Sequence, residues 1–151
     1  MLLSEFVTPE CVVVPMTATD KPGAIGELVQ RLVDRAGGSY EDAYRAVTRR
    51  EQELSTGIGF GVAIPHGKTP TVRALSVVAG VSTAPVPFDA LDGQPVRLFF
   101  LIVGPEASAG QHVKVLSRIA RLIRHTDVRE RLVCAGTPED FHRALLDAEE
   151  R

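Results

Sequence analysis

Ser55-Thr56-Gly57-Ile58-Gly59-Phe60-Gly61-Val62-Ala63-Ile64-Pro65-His66-Gly67-Lys68 is the stretch on which the reading of the chain turns. Three glycines at alternate positions lead into a short apolar run that stops at Pro65-His66-Gly67. The glycines free the backbone for a turn or for close approach to a ligand, and Pro65 pushes Ile64 toward an extended conformation. A strand is therefore expected over residues 62–64, with His66 displayed at its end and Gly67 leaving open space beside the ring. An imidazole at a strand end, facing a glycine-rich loop, is placed for chemistry on a small anion or for passing a proton.

The chain around this stretch is that of one soluble domain, expected to span 1–151: 44% of its 151 residues are hydrophobic and 24% charged, enough to bury a core. Net charge is −2, and Lys and Arg are scattered rather than striped, which argues against nucleic acid or acidic lipid as partners. Cys11 and Cys134 have no paired spacing for zinc and form no disulfide framework, so a reducing cytoplasm fits. The longest apolar runs, such as residues 98–103, are too short to span a bilayer, and no signal core opens the chain.

Working outward, residues 2–6 read as a helical turn and residues 11–14 as a strand ended by Pro15. Asp20 caps a helix with Pro22 in its first turn. Ile25, Leu28, Val29, Leu32 and Val33 recur along it until Gly37-Gly38. Ser39 and Asp42 resemble a capping box for a second helix, whose weaker stripe is Ala43, Val47 and Leu54 and whose last turns carry Arg49 and Arg50 toward the glycines. After His66 come a loop over 68–73, a buried strand over 75–81, a short edge strand over 85–88, a turn at Asp92-Gly93 and the strongest strand, 96–103. A small-residue loop over 107–110 then leads to a helix with His112 in its first turn and Val113, Leu116, Ile119, Ala120 and Ile123 as its apolar stripe. Val128, Leu132 and Val133 suggest a short helix, and Thr137-Pro138-Glu139-Asp140 starts a last one that buries Phe141, Ala144, Leu145 and Ala148. Strands alternating with helices predict an α/β sandwich, a single domain with a mixed central sheet flanked by helices.

Several chemistries fail on spacing. A P-loop needs four residues between its first glycine and Gly-Lys, but Gly61 and Gly67 are separated by five. Gly57, Gly59 and Gly61 miss the dinucleotide fingerprint because the third glycine comes too early and a strand, not a helix, follows. No Gly-x-Ser-x-Gly is present. A metal site would need His66 and His112 to be joined by a third ligand, and His125 and His142 sit in polar positions expected to be solvated.

Residues 55–59 followed by Val62-Ala63-Ile64-Pro65-His66-Gly67-Lys68 resemble the signature of the type 2 enzyme IIA domain of the bacterial phosphoenolpyruvate-dependent phosphotransferase system, the mannitol and fructose class with its nitrogen-regulatory members. The likeness extends to the opening Leu2-Leu3-x-x-Phe6-x-Thr8-Pro9-Glu10, to Arg50-Glu51, to the stretch from Phe88 to Val96 and to Gln111-His112-Val113-Lys114-Val115-Leu116-Ser117. It implies that His66 takes a phosphoryl group from the phosphocarrier HPr or a paralogue and passes it to a sugar-specific IIB component. It further implies that Arg50 holds the phosphate and His112 lies beside the active ring. Phe60 departs from the small or polar residue that the resemblance leads one to expect there, at the donor-docking surface.

The residues ask for the same chemistry. A neutral imidazole attacks phosphorus and later leaves it, and the phosphoryl oxygens need donors: Arg50 as a planar fork, with backbone amides around Gly57, Gly59 and Gly61. No metal or cofactor is needed. Arg49 competes with Arg50 for its role, and His112 can equally be a polar boundary residue. Ser55, Thr56 and Lys68 can line the site or simply build turns. Three functions follow: a phosphocarrier of sugar transport, a regulatory protein whose phosphorylation at His66 changes what binds it, or an anion-binding domain without turnover.

Overall fold

The run expected as the strongest strand forms β6 (Val96–Gly104), buried throughout except at Arg97. Its alternation sends Leu98, Phe100 and Ile102 into one apolar cluster and Phe99, Leu101 and Val103 into another, so both faces of the sheet must be covered. The protein is described here by a computed structural model covering residues 2–150; the ends of the expected 1–151 domain, Met1 and Arg151, lie outside the described residues.

β5 (Ser76–Val86) runs antiparallel to β6, and β1 (Val12–Met16) lies parallel to β5 at the sheet edge. On the other side of β6, β3 (Val62–Ala63) and β4 (His66–Lys68) follow one another, both parallel to it, and β2 (Gly57–Gly59) pairs antiparallel with β3. The order β1-β5-β6-β3-β2, with β4 on β6, makes the mixed six-stranded sheet of a single-domain α/β sandwich. α2 (Lys21–Ala36) and α3 (Tyr40–Glu53) cover one face. α1 (Leu3–Phe6), α4 (Ala109–Ile123), α5 (Thr126–Val133) and α6 (Pro138–Glu149) cover the other.

The helix starts follow their capping residues. Asp20 accepts from the Gly23 amide, Ser39 from the Asp42 amide and Thr137 from the Asp140 amide, each satisfying a first-turn N–H. Gly37 ends α2 at φ 83°, a conformation costly for any residue with a Cβ.

Four expectations are corrected. Pro15 does not end the first strand, because β1 is an edge and its register with β5 shifts between Val13 and Met16, where a missing amide costs no ladder bond. Residues 85–88 are not a separate edge strand: β5 continues to Val86 across an irregularity that accommodates Pro85, and Val86 pairs with Val96. Leu54 is not part of the α3 stripe but its exposed C-cap, and Glu51 is buried on that face instead. The buried face of α4 is His112, Val115, Ile119 and Ile123, while Val113 and Ala120 face outward.

Candidate phosphoryl-transfer site

His66 opens β4 instead of closing the preceding strand. Its register partner is Ile102 and that of Gly67 is Val103, so alternation turns His66 toward the α4 layer and Gly67 toward the α3 layer. Gly67 leaves no open space. A Cβ there would stand 2.8 Å from the Val47 amide nitrogen and 3.0 Å from the Ala46 carbonyl carbon, so glycine is what lets α3 lie against β4. This close approach brings the last turns of α3, with Arg49 and Arg50, to the same cleft as His66. From the opposite layer α4 contributes His112.

The cleft measures about 520 Å³ and is lined by Arg49, Arg50, Glu53, His66, Lys68, Glu106, Ala109 and His112, among others. His66 is half-buried, and its Nδ1 lies 2.8 Å from the Ile64 carbonyl oxygen. A carbonyl only accepts, so Nδ1 carries the proton and Nε2 keeps its lone pair. Burial pushes the His66 imidazole below the usual histidine range; the bond to Ile64 opposes this, the Arg50 charge adds to it, Glu51 opposes it and Lys68 adds to it. His112, 8% exposed, meets His66 edge-to-face with ring centres 5.2 Å apart. Burial first, then the neighbouring His66 and Lys68, lower it to about 4, so both rings are neutral at pH 7. Arg50 is half-buried and donates from Nη1 to the Leu54 carbonyl at 2.8 Å, whereas Arg49 is exposed. Lys68 Nζ stands 3.7 Å from Glu106 on the rim.

The glycines expected to offer amides do not line this cleft. Phe60 at φ 59° and Gly61 at φ 75° make the turn between β2 and β3, and the Gly57 amide is taken by Ser55 Oγ while its carbonyl receives the Leu91 amide. Phe60 stands against Arg129, whose guanidinium lies 4.6 Å from the ring centre. Val62 is in register with Leu98 and His66 with Ile102, so four residues of strand, about 13 Å, separate the turn from the imidazole. Ser55 and Thr56 are turn builders: Ser55 Oγ donates to the Phe88 carbonyl, and Thr56 is buried and bonded to Glu51. His125 is exposed at the start of α5, while His142 is half-buried with Nε2 3.2 Å from the Ser4 carbonyl oxygen. Among the described residues no group of three or more His, Cys, Asp or Glu could hold a metal ion, and no helix is long and apolar enough to cross a membrane.

Two features escaped the sequence reading. The first turn of α4 reaches the cleft through Ala109, and no side chain caps that helix. Glu51, beside Arg50, is the one buried acidic side chain among the described residues. The small residues 107–110 were a signal for the first; nothing in the spacing of Glu51 marked it as buried.

Residues 5–148 match the family described as phosphoenolpyruvate-dependent sugar phosphotransferase system, EIIA 2. The chain belongs to this type 2 enzyme IIA family. A nitrogen regulatory protein of Bradyrhizobium diazoefficiens is 34% identical over 145 residues, 96% of this chain and 95% of that one. A fructose-specific EIIA component of the phosphotransferase system of Haloferax volcanii is 37% identical over 131 residues, 86% of this chain and 85% of that one. The crystal structure of nitrogen regulatory protein IIA-Ntr from Neisseria meningitidis superposes with a TM-score of 0.88 at 32% identity, covering 95% of this chain and 98% of that one. Both the sugar-specific and the nitrogen-regulatory branches are thus similar to this enzyme IIA chain, and membership of a phosphotransfer family supports a phosphocarrier role.

Proposed function

We propose that this chain carries a phosphoryl group on Nε2 of His66, taking it from an HPr-type phosphocarrier in the cytoplasm and giving it to a IIB component of the fructose or mannitol class. The observation that supports this most directly is the bond from Nδ1–H to the Ile64 carbonyl, which commits the Nε2 lone pair to attack. In the acceptance step a P–N bond forms at Nε2 while the donor's P–N bond breaks and its lone pair returns to the donor ring. Nδ1 keeps its proton, shared with the carbonyl, so the step requires no other acid or base. Charge gathers on the equatorial oxygens of a loose transition state, where Arg50 offers a planar fork and the N-terminal end of α4, which reaches the cleft at Ala109, offers its positive dipole end. The start of α4 takes the place of Gly57, Gly59 and Gly61 as the proposed backbone contribution. His112, neutral, orients the His66 ring and presents an N–H without adding a charge.

Incubation with phosphoenolpyruvate, enzyme I and HPr, followed by intact-mass measurement, tests the reading. One added phosphoryl group is expected, acid-labile and base-stable as a phosphoramidate must be, and absent from His66→Ala. A label that survives acid, or normal labelling of the variant, sinks it.

A second reading has the same phosphorylation regulate protein binding, and the nitrogen-regulatory relatives favour it. Phosphoryl transfer from the labelled chain to a fructose-class IIB protein supports the transport role. Stable labelling in the presence of IIB supports regulation.

A further inference from the structure

Arg50 is held by the backbone it bends over: its Nη1 donates to the carbonyl of Leu54, the exposed C-cap of α3. A guanidinium anchored to a loop carbonyl is only as well placed as the loop, and the loop from Leu54 to Thr56, which follows α3, is tied by an unusual group. The Glu51 carboxylate, its side chain only 4% exposed, accepts from the Thr56 amide at 3.0 and 3.1 Å and from the Thr56 hydroxyl, and it pairs with Lys21 Nζ at 2.9 Å. Lys21 begins α2, stands 4.7 Å above the Phe88 ring and lies 3.7 Å from Asp89. One buried charge thus joins the start of α2, the last turn of α3 and the residue leading into β2. Charge-assisted bonds of this kind are short and strong, and a carboxylate that satisfies so many donors has little freedom to drift.

We propose that Glu51, clamped between Lys21 and Thr56, is the positioning residue of the site: it fixes the turn whose Leu54 carbonyl orients the Arg50 guanidinium toward the phosphoryl group on His66. The proposal rests on the reading of Arg50 as the phosphoryl-oxygen donor and supplies the device that holds it. The clamp does not touch the reacting atoms; beside a Coulomb effect of the Glu51 charge on His66, whose loss would only favour the neutral ring further, it acts through Arg50.

Two variants probe it. Glu51→Gln removes the charge while keeping the shape, and Thr56→Val removes one hydroxyl while leaving the pair with Lys21 intact, so that the second remains informative if the first unfolds. ¹⁵N relaxation of the Arg50 Nε–H in the unphosphorylated protein should show lost order in both variants, with Arg49 unchanged. In transfer from phospho-HPr, Glu51→Gln should lower kcat about tenfold, less than the loss of about 10² to 10³ on removing an oriented donor because Arg50 is loosened and not removed, with KM for the donor unchanged. Combining Glu51→Gln with Arg50→Ala should be no slower than Arg50→Ala alone, because the two changes remove the same interaction. Arg50 Nε–H as ordered as in the wild type, or losses that multiply in the double variant, overturns the proposal. A wild-type chain that accepts no phosphoryl group instead overturns the functional reading, and the relaxation comparison still decides the clamp.

Discussion

At the scale of single residues the site is a pair of neutral imidazoles beside one fixed cation. Neutrality is required of His66 for the proposed attack on phosphorus, since a protonated ring has no lone pair to offer. It also leaves a mark on stability. In the unfolded chain His112 takes up a proton near the usual histidine value of about 6.5, whereas in the fold it stays neutral down to about 4. Between those values the unfolded state binds more protons, so stability is complete above the unfolded value and is lost as the pH falls toward the folded one. His66 is shifted in the same direction. Thermal unfolding followed from pH 7 to pH 5 should show a falling midpoint in the wild type and a flatter one in His112→Gln; equal slopes would mean that His112 titrates normally. Arg50→Ala should slow phosphoryl acceptance by about 10² to 10³, the effect of losing a preorganised donor, and Arg50→Lys should recover only part of it because an ammonium cannot form the bidentate fork. Quench-flow rates that match the wild type would move the role to Arg49, which lines the same cleft.

Elements bring these residues together through packing that leaves only a partial trace in sequence. The capped starts of α2, α3 and α6 and the buried faces of α2 and α6 were legible because capping residues and 3.6-residue spacing are local signals. The face of α4 was not. Reading His112 as polar shifted the stripe onto Val113 and Ala120, whereas the ring itself is buried against His66 and sets the phase of Val115, Ile119 and Ile123. A helical histidine that packs on a histidine from a strand cannot be told from a boundary residue by periodicity alone. The glycines misled for a related reason: alternate glycines suit a turn or an anion equally, and here Gly61 serves the turn while Gly67, read as open space, carries the contact. Gly67→Ala should therefore force α3 from β4 against backbone atoms that cannot yield, costing about 1–3 kcal/mol as overpacking does, and should slow transfer by carrying Arg50 away. Gly136→Ala, where an added Cβ meets nothing within 4 Å, is the control. Equal midpoints and rates for the two variants would show that the α3–β4 approach has slack.

Across the whole molecule the sheet separates two cores, and the site lies where both end, beside the carboxyl end of β6: the neighbouring β4 supplies His66, one layer Arg50 and the other His112. The α/β class and the flanking helices could be read from alternating strand and helix patterns, but strand order could not, since the parallel pairing of β3 and β4 on β6 joins segments about thirty-six residues apart with no local signature. This arrangement predicts that stability and rate respond to different parts of the fold. Phe141 is fully buried on α6 and packs on Phe100, in the layer that supplies His112 but on a helix that does not line the cleft. Phe141→Ala should cost about 3–5 kcal/mol. At roughly 2–4 °C of unfolding midpoint per kcal/mol for a chain of this size, the loss is large and easily read. Its transfer rate, corrected for the folded fraction, should stay near that of the wild type, because no group in the cleft moves. Val47, by contrast, sits where α3 meets Gly67, so Val47→Ala removes fewer methyl groups and less stability, yet it loosens the helix that aims Arg50. Its rate should fall further than that of Phe141→Ala although its midpoint falls less. If the rates of the two variants instead follow their midpoints, the cleft is sensing global stability and the division of labour between the layers is wrong.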